Sequence, residues 1–183
     1  MSSLLDRAIR LATGAHEGQF RKEAPIPYIT HPYRVALMLA SYGFSDAVIA
    51  AALTHDVLED TSVTESELRE AIGDEALAIV KAVTNDDSLS WEEKKKAYVA
   101  SVIQGPEGAF AVAIADKVHN LECLLDAYHE QGTDVWKHFN AGMEKKIWFE
   151  ELMLGAAKEH WDHPLIERYE VLLTELKEAV AVS

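Results

Sequence analysis

Apolar residues in this chain recur at helical spacing almost throughout, and no stretch shows the alternation of a half-buried strand. Leu4, Leu5, Ala8, Leu11, Ala12 and Ala15 form one such stripe. Pro32 just inside a helix start and Gly43 just past a helix end follow the usual asymmetry of helix termini. TESE at 64–67 and SWEE at 90–93 read as capping boxes, each announcing a helix. Further helical stretches are expected at about 106–128, 135–160 and 164–180. The exception is GQFRKEAPIPYIT at 18–30, where a glycine and two prolines enforce a loop that carries Arg21 and Lys22 towards His31. With no internal repeat, low-complexity tract or long linker, the expected fold is all-α, a single compact helical bundle over residues 1–183.

Composition excludes several classes. With 49% apolar and 26% charged residues the chain has the balance of an ordinary globular domain. No apolar run approaches the ~18 residues of a membrane span, and the start, MSSLLDRAIRL, has charges inside its short apolar stretch, so neither a membrane anchor nor a signal peptide is expected. The single cysteine, Cys123, cannot form an internal disulfide, which fits a cytoplasmic setting. The net charge of −14 argues against broad binding to nucleic acid. It leaves room for a small anionic substrate, because a metal and a few local cations can reverse the field inside one cleft.

The chemistry concentrates in THDVLEDT at 54–61. On a helix turning about 100° per residue, His55, Glu59, Asp56 and Asp60 all fall on one side, opposite Ala50, Ala51, Leu53, Val57 and Leu58. A packed helix with three carboxyl groups and an imidazole on its polar side suggests a cavity, since buried carboxylates are costly unless paired or metal-bound. The bland reading is a helix end with solvated acids. A second segment, AFAVAIADKVHN at 109–120, runs through seven apolar residues into Asp116, with Asn120 one turn later on the same face. Alone, Asp116 reads equally well as a salt-bridge partner. His31, in YITHPY, stands at a helix start. His31, His55, Asp56 and Asp116 together make a two-imidazole, two-carboxylate set suited to Mn²⁺, Fe²⁺ or Zn²⁺, and with no thiolate it leans towards harder ions. A metal held there makes bound water acidic enough to attack near neutral pH, and Glu59 and Asp60 stand one turn beyond for acid–base work. His16, His119, His129, His138, His160 and His163 show no ligand-like pattern. The lysines of WEEKKKAY at 91–98 read equally as phosphate contacts or as a solvated face.

The pattern H…HD…D at His31, His55–Asp56 and Asp116 resembles the HD superfamily of metal-dependent phosphohydrolases. AHEGQFRK, PYITHP, AALTHDVLEDT, AVT and ADKVHN, in that order, are similar to the hydrolase domain of RelA/SpoT-type proteins, over roughly residues 1–155. The resemblance implies a helical, Mn²⁺-dependent small alarmone hydrolase that removes the 3′-diphosphate of (p)ppGpp. It implies that His31, His55, Asp56 and Asp116 bind the metal, that Glu59 and Asp60 handle water and leaving oxygen, and that Arg21, Lys22 and Asn120 contact the nucleotide. Lys117 stands where the family commonly has Arg, Ala113 where it often has Lys, and Lys145, Lys146 and Trp148 are inexact substitutes for its phosphate-gripping Arg and Tyr. The partners expected are a nucleotide and a second copy of the chain in a homodimer, with no nucleic acid and no membrane. Two other readings remain open. One is a related hydrolase acting on ppApp or on the 2′-phosphate of NADPH, and the other is a metal-stabilised regulatory protein without turnover.

Overall fold

The computed structural model describes residues 3–21, 25–86, 88–138 and 142–181. Helices α1 (Leu4–Ala15), α2 (Thr30–Ser41), α3 (Asp46–Thr54), α4 (Val57–Asp60), α5 (Glu65–Ala82), α6 (Trp91–Gln104), α7 (Gly108–Gln131), α8 (Gly142–His160) and α9 (Leu165–Ala181) follow one another in the all-α arrangement expected. Among the described residues the only strand-like pairing is an isolated bridge between Phe20 and Pro27. It closes the 18–30 loop with two backbone bonds, Arg21 N–H to Ile26 and Tyr28 N–H to Gln19. Both capping boxes form, at Thr64/Glu67 and at Ser90/Glu93.

α3 sits at the centre because its sequence, DAVIAAALT, offers small apolar residues on every side. Alanines keep the helix thin, so α1, α2, α5 and α7 all pack against it. α7 is the second buried element, and each residue from Gly108 to Val118 is buried. α8 pairs with α9, which lies along α7. The Tyr169 hydroxyl donates to the buried Glu150 carboxylate, which also takes Lys146, so α9 is tied to α8 by a charge-assisted polar contact within the interior.

Two expectations about continuity are corrected. The stretch 135–160 is not one helix. α7 ends at Gly132, which adopts φ 61°, a short 3₁₀ segment covers Gly132–His138, and α8 begins at Gly142 with φ 75°. Glycine adopts these left-handed values without the clash a Cβ would cause. Nor is THDVLEDT one helix, since α3 stops at Thr54 and α4 starts at Val57. The cause lies in the side chains. His55 Nδ1 binds the Ala52 carbonyl at 2.8 Å, the acceptor that a continuing helix assigns to the N–H of Asp56.

Gly108 opens α7 where the helix crosses α3 and α5. A Cβ there would lie 2.7 Å from Ile79 Cδ1 and 2.8 Å from Val48 Cγ2. Gly108→Ala, which usually stabilises a helix, is therefore expected to cost about 1–3 kcal/mol through overpacking. Urea unfolding checks this, and a variant as stable as the parent would show that the crossing yields.

Candidate metal centre

Four side chains from three places in the chain converge on one point. α2 delivers His31, the α3–α4 junction His55 and Asp56, and α7 Asp116. His31 Nε2 lies 2.9 Å from Asp116 Oδ1 and 3.7 Å from Asp56 Oδ2. His55 Nε2 lies 3.0 Å from Asp56 Oδ2 and 3.7 Å from Asp116 Oδ1. Ligands at ~2.1 Å from one ion stand about 3–4 Å apart, so the spacing suits a shared cation. The imidazoles supply a sharper test of fit. Because Ala52 offers only an acceptor, His55 Nδ1 carries the proton and a neutral ring leaves a lone pair on Nε2. That buried Nε2 has no hydrogen-bond partner, although Asp56 Oδ2 is close. A lone pair on Nε2 and a carboxylate oxygen 3.0 Å away cannot bond to each other, and a metal ion between them would satisfy both. His31, His55 and Asp116 bring one ligand atom each within 4.8 Å of one another.

The electrostatics agree. Burial works against a charge on His55, but Asp56 and Asp116 more than offset it and raise its proton affinity well above the ordinary imidazole value. Burial likewise opposes the charge on Asp56, and His55 and His31 hold its carboxyl well below the usual range. Asp116 is held low against burial by Lys117 and the two imidazoles. A site that binds protons between carboxylates this strongly is one that a divalent cation can satisfy.

Around this point the other atoms are assigned. Asp116 Oδ2 accepts from Lys117 Nζ and Oδ1 from Asn120 Nδ2, both at 2.6 Å. Asn120 Oδ1 in turn accepts from Arg21 at 3.1 Å, and the Arg21 guanidinium lies 5.8 Å from the centre of the Tyr28 ring. Lys117 is buried, its ammonium 5.2 Å from the Tyr98 ring and 5.3 Å from that of Phe149. A cavity of about 210 Å³ opens over the cluster, with Glu59 and Asp60 at its wall and Val112 and Ala113 on α7 beside them. Asn85 holds Glu59 through its backbone N–H at 3.1 Å and its side-chain amide at 2.9 Å. Lys95 completes that chain, donating to Asn85 at 3.1 Å. Burial, with Lys117 nearby, lowers its ammonium to about 8. The Tyr28 hydroxyl faces Asp56 Oδ2 at 2.7 Å and Asp60 Oδ2 at 3.2 Å. Burial and the neighbouring Asp56 and Glu59 push the Asp60 carboxyl up.

The structure thus brings together His31, His55, Asp56, Asp116, Glu59, Asp60, Asn120, Arg21 and Lys117. It does not bring Lys145 or Lys146 to the cavity wall. Lys145 lies 5.5 Å from the Trp91 ring centre, and Lys146 pairs with Glu150. Lys22 lies outside the described residues. Tyr28, Asn85 and His119 were not expected near the site, and Lys95 is the WEEKKKAY lysine whose reading, phosphate contact or solvated face, was left open. His119, which shows no ligand-like pattern in the sequence, faces His31 Nδ1 from 2.7 Å. Burial, with the charge of His31 and of Arg21, lowers its proton affinity to about 4. His16, in the same group, binds Gln19 through Nδ1 at 2.7 Å, and Gln19 donates to the Asp60 carbonyl. Tyr28 and His119 sit inside PYITHP and ADKVHN, and Asn85 directly follows AVT, so those motifs were the available signal.

An all-helical bundle with a mixed imidazole–carboxylate centre defines the class. A model of the HD domain matches residues 8–143, and the chain belongs to that family. A guanosine-3′,5′-bis(diphosphate) 3′-pyrophosphohydrolase of Haemophilus influenzae is 36% identical over 120 residues, which are 62% of this chain and 18% of the relative. The chain therefore spans under a fifth of the length of that relative. MESH1 of Danio rerio, of the same enzyme name, is 33% identical over 164 residues, 80% of this chain and 91% of the relative. Two solved structures share the fold. A metazoan ortholog of SpoT superposes with a TM-score of 0.78 at 21% identity, covering 96% of each chain. The protein lmo0812 of Listeria monocytogenes superposes with 0.74 at 31% identity, covering 80% of this chain and 97% of that one. No helix among the described residues is long and apolar enough to cross a membrane.

If these four residues hold the ion, His55→Ala and Asp116→Ala should each lose most of the bound divalent metal. Elemental analysis of the dialysed variants checks this, and full retention in both would remove the site.

Proposed function

We propose that this protein is a cytoplasmic, Mn²⁺-dependent hydrolase that removes the 3′-diphosphate of guanosine alarmones, ppGpp and pppGpp, with release of pyrophosphate. The observation that carries the reading is the pairing of a cluster of buried His31, His55 and Asp116 with the half-buried Asp56, and of two carboxyl groups, Glu59 and Asp60, on the wall of the cavity above it. The names of the Haemophilus and Danio relatives support the substrate. His31, His55, Asp56 and Asp116 would hold the ion, which when bound supplies charge neutralisation and acidified water.

The chain's own groups account for the rest. Water attacks the phosphorus attached to O3′, the P–O3′ bond breaks, and the 3′-oxygen takes up a proton as pyrophosphate leaves. Glu59, steadied by Asn85, accepts the proton of water, and Asp60, whose carboxyl is pushed up, is suited to carry the proton to O3′. A pocket of about 210 Å³ is smaller than the ~300–1,000 Å³ of whole-ligand sites, so it encloses the reacting end while the base lies outside. Arg21, packed against Tyr28 and bound to Asn120, offers a flat cationic face to that base. Lys117 moderates the negative field at the wall.

Incubation with ppGpp, ppApp and NADPH at equal concentration and Mn²⁺, with products separated by ion exchange, tests the substrate. Pyrophosphate release from ppGpp at the highest rate is expected. Faster cleavage of NADPH would set the alarmone reading aside and leave the metal hydrolase standing. Glu59→Gln and Asp60→Asn should keep the metal and lower kcat by ~10²-fold or more, whereas Arg21→Ala should raise KM more than it lowers kcat. Near-normal turnover in both carboxyl variants would exclude the acid–base pair.

The pH profile adds a signed test. Glu59 is one of the charges that raise Asp60, and removing a negative neighbour favours the ionised carboxyl. In Glu59→Gln the limb of the kcat/KM profile that reports Asp60 should therefore move to lower pH. A limb that stays in place or moves up contradicts the assignment.

A further inference from the structure

His31 and His55 meet the centre through Nε2 but are steadied differently. His55 is held by a carbonyl of its own helix, Ala52, at 2.8 Å. His31 has no such support on α2, and its Nδ1 faces α7, where His119 Nδ1 lies 2.7 Å away. The ring centroids lie 4.9 Å apart with planes 23° from parallel, so the two nitrogens meet nearly edge to edge between the rings. On its far side His119 Nε2 lies 3.5 Å from Cys123 Sγ.

Two ring nitrogens at 2.7 Å share one proton, and the site decides which holds it. His31 Nε2 faces Asp116 Oδ1 at 2.9 Å, and a nitrogen that takes a cation there must present its lone pair. The remaining N–H of His31 is then on Nδ1. His119 Nδ1 must accept it, which leaves the N–H of a neutral His119 on Nε2, towards Cys123. We infer that His119 is a positioning residue for the metal centre: it accepts the Nδ1–H of His31, fixing the tautomer and ring plane that aim Nε2 at the ion. This rests on the metal reading above and not on the identity of the substrate.

The choice of an imidazole has a physical reason. Metal-bound histidines usually donate their second nitrogen to a carboxylate, carbonyl or water. A carboxylate at position 119 would add a negative charge to a centre that already contains Asp56 and Asp116, with Glu59 and Asp60 beside it. A neutral imidazole accepts the proton without that charge. Helix α7 supplies the acceptor at no cost in alignment, because His119 lies three residues after Asp116, about one turn along the same rigid element.

The test is Mn²⁺ binding to the full chain, read from the electron paramagnetic resonance signal of free Mn²⁺, with circular dichroism and thermal unfolding as controls. His119→Ala and His119→Leu are expected to weaken Mn²⁺ binding by ~10–100-fold. His119→Asn, whose amide oxygen can occupy the place of Nδ1 and accept, should recover most of that loss. Unchanged affinity in the alanine and leucine variants overturns the proposal, as does an asparagine variant as weak as alanine. Should the variants fail to fold, ¹⁵N NMR of the Zn²⁺-loaded parent decides. His31 as the Nδ1–H tautomer supports the assignment, and Nε2–H overturns it. A parent that binds no divalent ion removes the metal reading and this inference together. A parent that binds Mn²⁺ but leaves ppGpp intact removes only the substrate.

Discussion

Asp56 and Asp116 are carboxylates set against apolar helices, each within 4 Å of the same two imidazoles. The apolar helices limit how far water can disperse that charge, so the surroundings must hold much of it. Most of the polar architecture near the cavity follows. Lys117 is buried beside Asp116 with its ammonium near the faces of two aromatic rings. Asn120 and Tyr28 donate to the ligand oxygens, and His55 gives its own Nδ1–H to its helix so that Nε2 is left for the centre. The alanine-rich surface of α3 is part of the same solution, since only thin helices let α2 and α7 bring His31 and Asp116 so close.

A chain of formal charge −14 would be an unexpected host for the polyanionic nucleotide proposed above. The resolution lies in where the charge sits. Several acids on the outer helix faces are already neutralised by neighbours, as Glu65 is by Arg69 and Lys81, and Glu92 by Lys96. Near the cavity Arg21, Lys95 and Lys117 are held by contacts that fix their positions. The local field, not the total, governs what can enter.

Sequence spacing made the convergence of His31, His55, Asp56 and Asp116 legible because each sits in a short local pattern, HP, HD or ADK, in or beside a helix whose apolar face is readable. The helical-wheel argument for residues 55–60 grouped the correct side chains on an incorrect geometry, since it had no way to know that His55 takes the Ala52 carbonyl and ends the helix. Their partners were not legible. Tyr28 meets Asp56 across 28 positions, Asn85 meets Glu59 across 26, and His119 meets His31 across 88. No local pattern encodes such pairings. Lys145 and Lys146 show the converse. Both looked free to grip phosphate, but Lys145 turns to a tertiary neighbour, Trp91, and Lys146 pairs with Glu150 one turn along its own helix, an i,i+4 pairing that the sequence does contain.

The crossing at Gly108 lies eight residues before Asp116, a rise of ~12 Å along α7. Beyond it the helix carries Asp116, Lys117, His119 and Asn120 within five consecutive positions. One rigid rod therefore sets the axial position of a ligand, of its two supports and of the group facing His31. The tight contact of Gly108 with Ile79 and Val48 acts as the mechanical stop for that rod. Sliding α7 by a fraction of a turn would put all four groups out of register at once, so alignment of the centre is a property of a helix crossing about two turns away from it.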